Sequence, residues 1–421
     1  MATRKGGGSR PASRAGRKPV IVTFKKKDAR RDKSSDKRDI IASVAPAIES
    51  MNIYDVSDAA EFTIGAPGVP AGVEPDLVGY DINLYDAPIV SLSLSDDEIK
   101  ALKGNPNVAT VEEDGFCHAL PFNNLVFEGQ PSPQAETVPI GVQQVKAPAA
   151  WGCSRGKGVR VAVLDTGIDW NHPDLRPNVR GAVSFVPGET AMDGNSHGSH
   201  CAGTIAAAVN GSGVVGVAPE ASLYAVKVLS NAGSGQFSWV IAGINWCIQN
   251  RMHIGSMSLG APAAPAALET ICNAAFNAGI LIVAAAGNAG SGPDTVQFPG
   301  KYKSVIAVSA IDSNNVIASF SSRGPGVEIC APGVQVLSTV PGGGYSMMNG
   351  TSMACPHVAG AAAVVWGAHR FANNVAIWNL LGSTADNLGP PGWDREYGYG
   401  RVDVDQAAIQ FLPAPVVPLK P

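Results

Sequence analysis

From about residue 137 onward, short apolar runs alternate with segments of helical periodicity, and this alternation constrains the fold more than any other feature of the chain. The runs Val159 to Leu164, Ser222 to Leu229, His253 to Ser258, Ile280 to Ala285 and Ser304 to Ser309 are strand-length and mostly apolar. Helical patterns fall near 197 to 209, 237 to 250, 265 to 278 and 352 to 366. Apolar strands separated by helices predict an α/β fold, a mostly parallel sheet covered on both faces. In such sheets chemistry collects just past the carboxyl ends of the strands.

Ahead of this region, residues 39 to 120 read as a smaller α/β unit. Strands are expected within Tyr80 to Leu94 around the turn Asp86-Ala87-Pro88, then a helix capped by Ser95 with Asp96, Asp97 and Glu98 in its first turn. The turn Asn105-Pro106-Asn107 leads into a strand from Val108 to Glu112. Residues 121 to 136 read as a linker from their Pro, Asn and Gly, and 413 to 421 as a Pro-rich tail closing a larger domain of 137 to 412. Residues 1 to 38 carry fourteen Lys and Arg against three Asp, the remainder 17 against 32, so a basic flexible tail is expected before an acidic body. Such a tail attracts nucleic acid without regard to sequence, but Phe24 is its only aromatic.

No apolar run approaches the roughly 18 to 20 residues of a membrane span, and 45% apolar residues suffice for a sizeable core. The seven cysteines are odd in number and lack CxxC spacing, which excludes both a disulfide framework covering every thiol and a zinc signature. The N-terminus is basic but lacks the apolar stretch of about 7 to 15 residues of an ordinary secretory signal. A cytoplasmic location, or export by another route, is the expectation.

Three residues stand at the rim of the expected sheet. Asp165 follows the strand VRVAVL in VLDTGID, His197 opens a small-residue helix in DGNSHGSHCAGT, and Ser352 begins another helix in NGTSMACPHVAG. Singly they read as a loop-capping Asp, a surface histidine and a helix cap. Together they supply a nucleophile, a base to take its proton and a carboxylate to hold the base in the right tautomer. Asn288, after the strand ILIVAAAG, adds an amide that can donate with the Ser352 N–H to a developing oxyanion.

These blocks, in the order Asp, His, Ser and spread over about 135 to 411, resemble the subtilisin family of serine proteases. The resemblance implies a subtilisin-like three-layer fold, with Asp165, His197 and Ser352 as triad and Asn288 as oxyanion residue. HGSHCAGT is most similar to the thermitase and proteinase K branches, with Cys201 one turn after His197. By the same resemblance Gly233-Ser234-Gly235 and Ser258-Leu259-Gly260 are edges that accept a peptide as an added strand, and Gln297 lies at the base of the primary specificity pocket. Neither edge carries the acidic cluster of a kexin-like enzyme, so broad specificity with apolar preference follows.

The resemblance also implies a structural Ca2+ held by Glu136, Asp174, Ala208, Asn210, Ser212 and Val214, and an inhibitory prodomain ending in EEDGFCHAL. The expected protein is a monomeric, self-processing serine endopeptidase acting on protein or peptide substrates, with its own prodomain as intramolecular inhibitor. Pro121 is a poor residue on the leaving side of a cleaved bond. Processing is therefore expected between Asn123 and Thr137 rather than after Leu120. Two other readings are a silent scaffold that kept the fold, against which the intact triad argues, and a tail-driven nucleic-acid binder.

Overall fold

The computed structural model describes residues 16–26, 34–45, 52–55, 78–84, 86–120 and 135–410. The Pro-rich tail, the first fifteen residues and most of the expected linker lie outside the described residues.

The N-terminal unit runs β1 (Arg17–Phe24), α1 (Ser34–Val44), β2 (Asn52–Asp55), β3 (Val78–Leu84), β4 (Ala87–Ser95), α2 (Asp96–Lys103) and β5 (Val108–Glu113), followed by β6 (Phe116–Ala119). Its sheet has the order β2-β3-β4-β1-β5. Ser95 accepts from the Glu98 N–H while Glu98 reaches back to the Ser95 N–H, a capping box that starts α2 where the sequence places it.

The boundary at residue 38 is corrected. Arg17–Phe24 is no tail but a strand between β4 and β5, with Val20, Ile21, Val22 and Phe24 buried. A count of charge conceals this, because VIVTF supplies the core while the charges beside it find partners. Arg17 pairs with Glu98, Lys18 with Asp96, Lys26 with Asp86, and both Lys37 and Arg38 with Asp81. Five of the basic groups expected to attract nucleic acid are thus neutralised within the domain.

The larger unit continues α3 (Ile140–Gln144), α4 (Ala147–Ala150), β7 (Arg160–Asp165), β8 (Val179–Ser184), α5 (His197–Ala206), β9 (Ser222–Lys227), β10 (Ser234–Gln236) and α6 (Phe237–Gln249). Then come β11 (Ile254–Met257), β12 (Leu259–Gly260), α7 (Ala266–Asn277), β13 (Leu281–Ala285), β14 (Val305–Ile311) and β15 (Val327–Pro332). It ends with β16 (Val336–Val340), β17 (Gly344–Met348), α8 (Thr351–Ala368), α9 (Asn374–Ser383) and α10 (Val404–Ile409).

Seven strands form one parallel sheet in the order β15-β14-β13-β11-β7-β9-β8. Alternate residues of β7 enter opposite cores: Val161 and Val163 pack toward α5 and α8, Ala162 and Leu164 toward α6 and α7. The result is a three-layer α/β arrangement. The two strands the apolar pattern missed, β8 and β15, are its edges, where Arg180 and Glu328 interrupt the run. Among the described residues no helix is long and apolar enough to cross a membrane.

Candidate active site

The parallel sheet and the helix starts converge on one rim. Asp165 is the last residue of β7, and His197 opens α5 behind Ser196, whose positive φ of 97° turns the chain sharply into the helix. His197 Nδ1 lies 2.8 Å from Asp165 Oδ1, and both side chains are buried. Burial by itself pulls the imidazole down, but the Asp165 carboxylate, through its charge and its hydrogen bond, and Asp193 push it up, and the net value lies above 6.5. His197 Nε2 makes no hydrogen bond among the described residues.

Ser352 sits in the first turn of α8, after Gly350. Its hydroxyl is 3.0 Å from the carbonyl oxygens of both Leu120 and Ser258. Leu120 O also accepts from Asn288 Nδ2 at 2.9 Å. Asn288 is held from behind, its Oδ1 taking the Thr351 N–H at 3.0 Å and the Thr351 hydroxyl at 2.8 Å. Gly350 is required here, because a Cβ would lie 3.1 Å from Leu120 O and 3.4 Å from Asn288 Nδ2, on a backbone with φ of +147°.

The segment that brings Leu120 to this point is β6, sandwiched antiparallel between β10 and β12. Ser234 pairs with His118, Gly235 with Cys117, Leu259 with Ala119 and Gly260 with His118. The Ala119 N–H donates to Gly233 O at 2.8 Å and the Leu120 N–H to Ser258 O at 3.4 Å. Both segments read as edges therefore flank one extended chain. The buried Leu120 side chain lies against Gly260, where a Cβ would meet Gln297 Oε1 at 2.8 Å and Leu120 Cδ1 at 3.2 Å. Gln297 Oε1 is buried there without a hydrogen bond among the described residues.

Two carboxylates that sequence reasoning passed over anchor the same segment. Helices α6 and α7 lack a side-chain cap of their own. Asp114 Oδ1 accepts the Ser238 N–H at 3.0 Å at the start of α6, and the Glu112 carboxylate accepts Ala266 N–H at 2.8 Å and Ala267 N–H at 3.3 Å at the start of α7. Burial pushes Asp114 up to about 6 against these hydrogen bonds. The acidic run EED, separated from FCHAL by Gly115 alone, was the available signal.

Cys201 is buried, its thiol 3.5 Å from Ser352 O, and burial raises it well above the usual thiol range, as it does Cys355 and Cys117. Such thiols are inert as nucleophiles at neutral pH. All seven cysteines are free, and only Cys153 is exposed.

The residues expected around a cation also meet, away from the rim. Asp174 is fully buried; its Oδ1 takes Asn210 Nδ2 at 2.8 Å, and its Oδ2 the Val214 N–H and the Tyr345 hydroxyl, both at 2.9 Å. Glu136 Oε1 accepts the Asn210 and Gly211 N–H groups at 2.7 and 2.8 Å. Ala208, Ser212 and Val214 complete that loop.

The profile of the Subtilase family matches residues 156–400, a span that contains the ends of β7 and β13 and the starts of α5 and α8. The chain belongs to the subtilase family. This subtilase is 50% identical over 321 residues to subtilisin E of Bacillus subtilis (strain 168), covering 75% of the chain and 79% of the relative. It is 52% identical over 279 residues to subtilisin of Bacillus pumilus, covering 65% of the chain and the whole relative, and 47% identical over 322 residues to an alkaline protease of Shouchella clausii, covering 76% and 79%. The subtilase is a serine endopeptidase acting on protein substrates.

Proposed function

We propose that Ser352 is the nucleophile, His197 the general base and then acid, Asp165 its orienting carboxylate, and Asn288 with the Ser352 N–H the donor pair for the oxyanion. The Leu120 carbonyl carries this reading: it lies within hydrogen-bond distance of both the Ser352 hydroxyl and Asn288 Nδ2, as the carbonyl of an acylating peptide must. For attack, the Ser352 hydroxyl turns from Ser258 O toward the unpartnered His197 Nε2. The ester that forms releases the amine with the proton held on Nε2, and water then regenerates the serine.

Residues 17–120 act as an intramolecular inhibitor whose C-terminal strand fills the cleft as a substrate would, and the active form is a monomer beginning between Asn123 and Thr137. The crowding of Leu120 Cδ1 and Gln297 Oε1 about Gly260 supports a short primary pocket that takes Leu, Met or Gln ahead of Tyr or Trp. A cleavage profile led by Tyr and Trp would contradict it.

The cluster around Asp174 fits a calcium ion by its chemistry. Glu136, Asp174 and the Asn210 amide are hard oxygen donors, and the carbonyls of Ala208, Ser212 and Val214 accept no hydrogen bond among the described residues. Room is kept by Gly213, where a Cβ would lie 2.2 Å from Asp174 Oδ2. Ligation requires the Asn210 amide to turn its oxygen toward Asp174. The ion would tie the start of the mature chain to the loop of 208–214.

A fluorophosphonate tests the nucleophile directly. After removal of residues 1–120 it is expected to label Ser352 alone; a folded chain that takes no label there overturns the assignment.

A further inference from the structure

One cation in the core is not used by the reading above. Lys227, the last residue of β9, has no solvent exposure, and β9 pairs with β7 so that Lys227 lies opposite Asp165. Its ammonium donates to Thr166 O, to Asn231 Oδ1 at 2.9 Å, and stands 3.2 Å from Glu189 Oε2. Each partner belongs to a different part of the site. Thr166 follows Asp165, and its hydroxyl donates to Asp193 at 2.9 Å and accepts the Gly198 N–H at 2.9 Å. Asp193 in turn takes the N–H groups of Asn195, Ser196 and Ser199 at 2.8 to 3.0 Å, which fixes the turn that launches α5 and His197. Asn231 Oδ1 accepts the Gly194 N–H at 3.1 Å, and the Asn231 N–H donates to Glu189 at 2.9 Å. Asn231 also lies two residues before the edge at Gly233.

We propose that Lys227 is a positioning residue for peptide hydrolysis, its buried ammonium locking the Asp165–Thr166 turn, the loop ahead of His197 and the substrate edge at 231–235 into one unit. The inference rests on the assignment of Asp165 and His197 given above. A lysine with no access to water is held only by its partners, so removing it takes the shared donor from Thr166 O, Asn231 Oδ1 and Glu189 and releases three loops at once. Around His197 the charged and titratable groups are Asp165 on β7, Asp193 on the loop, and His200 and Cys201 on α5. His200 is neutral, pulled by burial to about 3, and the Cys201 thiol stays protonated. Facing Lys227 itself are Glu189, Asp193 and Asp165. Deleting the cation therefore leaves a more negative surrounding, which holds the proton on His197 more tightly.

The test compares pH profiles of kcat and kcat/KM on a peptide substrate for the wild-type chain, Lys227→Met and Glu189→Gln, with Ser352→Ala as control and thermal unfolding alongside. Lys227→Met is expected to lower kcat about ten- to a hundred-fold through misplacement of the reacting groups, and to move the acid limb up by about half a unit to one unit. Glu189→Gln, on a partly exposed side chain, removes a negative charge instead and is expected to move the limb down by a few tenths of a unit. A folded Lys227→Met with wild-type kcat and an unmoved limb overturns the proposal. Should Lys227→Met not fold, an unmoved limb in Glu189→Gln overturns it equally. Either result beside an inactive Ser352→Ala refutes Lys227 alone, whereas an active Ser352→Ala refutes the assignment beneath it.

Discussion

Asn288 Nδ2 donates to the carbonyl oxygen of Leu120 over 2.9 Å, while Asn288 Oδ1 is gripped by the Thr351 N–H and hydroxyl. The amide is thereby fixed with its donor toward the Leu120 carbonyl. Replacing Asn288 with Ala is expected to reduce kcat by about a hundred- to a thousand-fold with little change in KM, because the lost donor acts on a transient charge. Steady-state kinetics check this, and a raised KM with intact kcat would make Asn288 an ordinary substrate contact.

The pH dependence follows from His197. Its pKa lies above 6.5 because Asp165 and Asp193 outweigh burial, and only the neutral imidazole can accept the Ser352 proton. Activity should rise with pH along a limb centred above 6.5. Asp165→Asn removes the main cause, so it should shift that limb downward and reduce kcat at its plateau. A flat profile across this range would show that His197 is not the base.

The helix caps offered by Glu112 and Asp114 predict opposite effects on inhibition. Glu112 caps α7 from a partly exposed position, so Glu112→Ala should weaken inhibition by the isolated 17–120 segment, at about 1 kcal/mol or roughly five-fold in Ki. Asp114 is buried, and its pKa rises from 3.8 in a free chain to about 6 in the complex. A raised bound-state value means that the protonated form binds better. Inhibition should therefore be strongest at low pH and weaken as pH rises through about 6. Asp114→Asn should remove that dependence, and Ki values independent of pH in the parent segment would contradict it.

For calcium, a chelator should lower the unfolding temperature of the mature subtilase, since an ion bound only by the folded state stabilises it by mass action. Asp174→Ala should abolish the difference between chelated and calcium-loaded protein. Melting curves that coincide with and without chelator would remove the ion from the account.

Much of this was legible in the sequence because the chemistry sits where the apolar pattern ends. Asp165 ends and Asn288 lies just past central strands whose apolar stretches, VAVL and LIVAA, are continuous, and His197 and Ser352 open helices marked by small residues. The edge strands β8 and β15 were lost because Arg180 with Gly181 in the one, and Glu328 in the other, leave only two or three consecutive apolar residues. β1 was lost because its first two residues, Arg17 and Lys18, made a core strand resemble a basic tail. Lys227 passed unnoticed for a related reason: a lysine at a strand end reads as solvated, and only the pairing of β7 with β9 shows that it is buried beside Asp165.

The most direct test of the account is N-terminal sequencing of the purified wild-type chain and of Ser352→Ala, each assayed on a peptide substrate. The wild type should begin between Asn123 and Thr137 and be active. Ser352→Ala should remain full-length, with turnover lower by a factor on the order of a million. Substantial turnover in Ser352→Ala, or a fully active wild type that still begins at Met1, would contradict it.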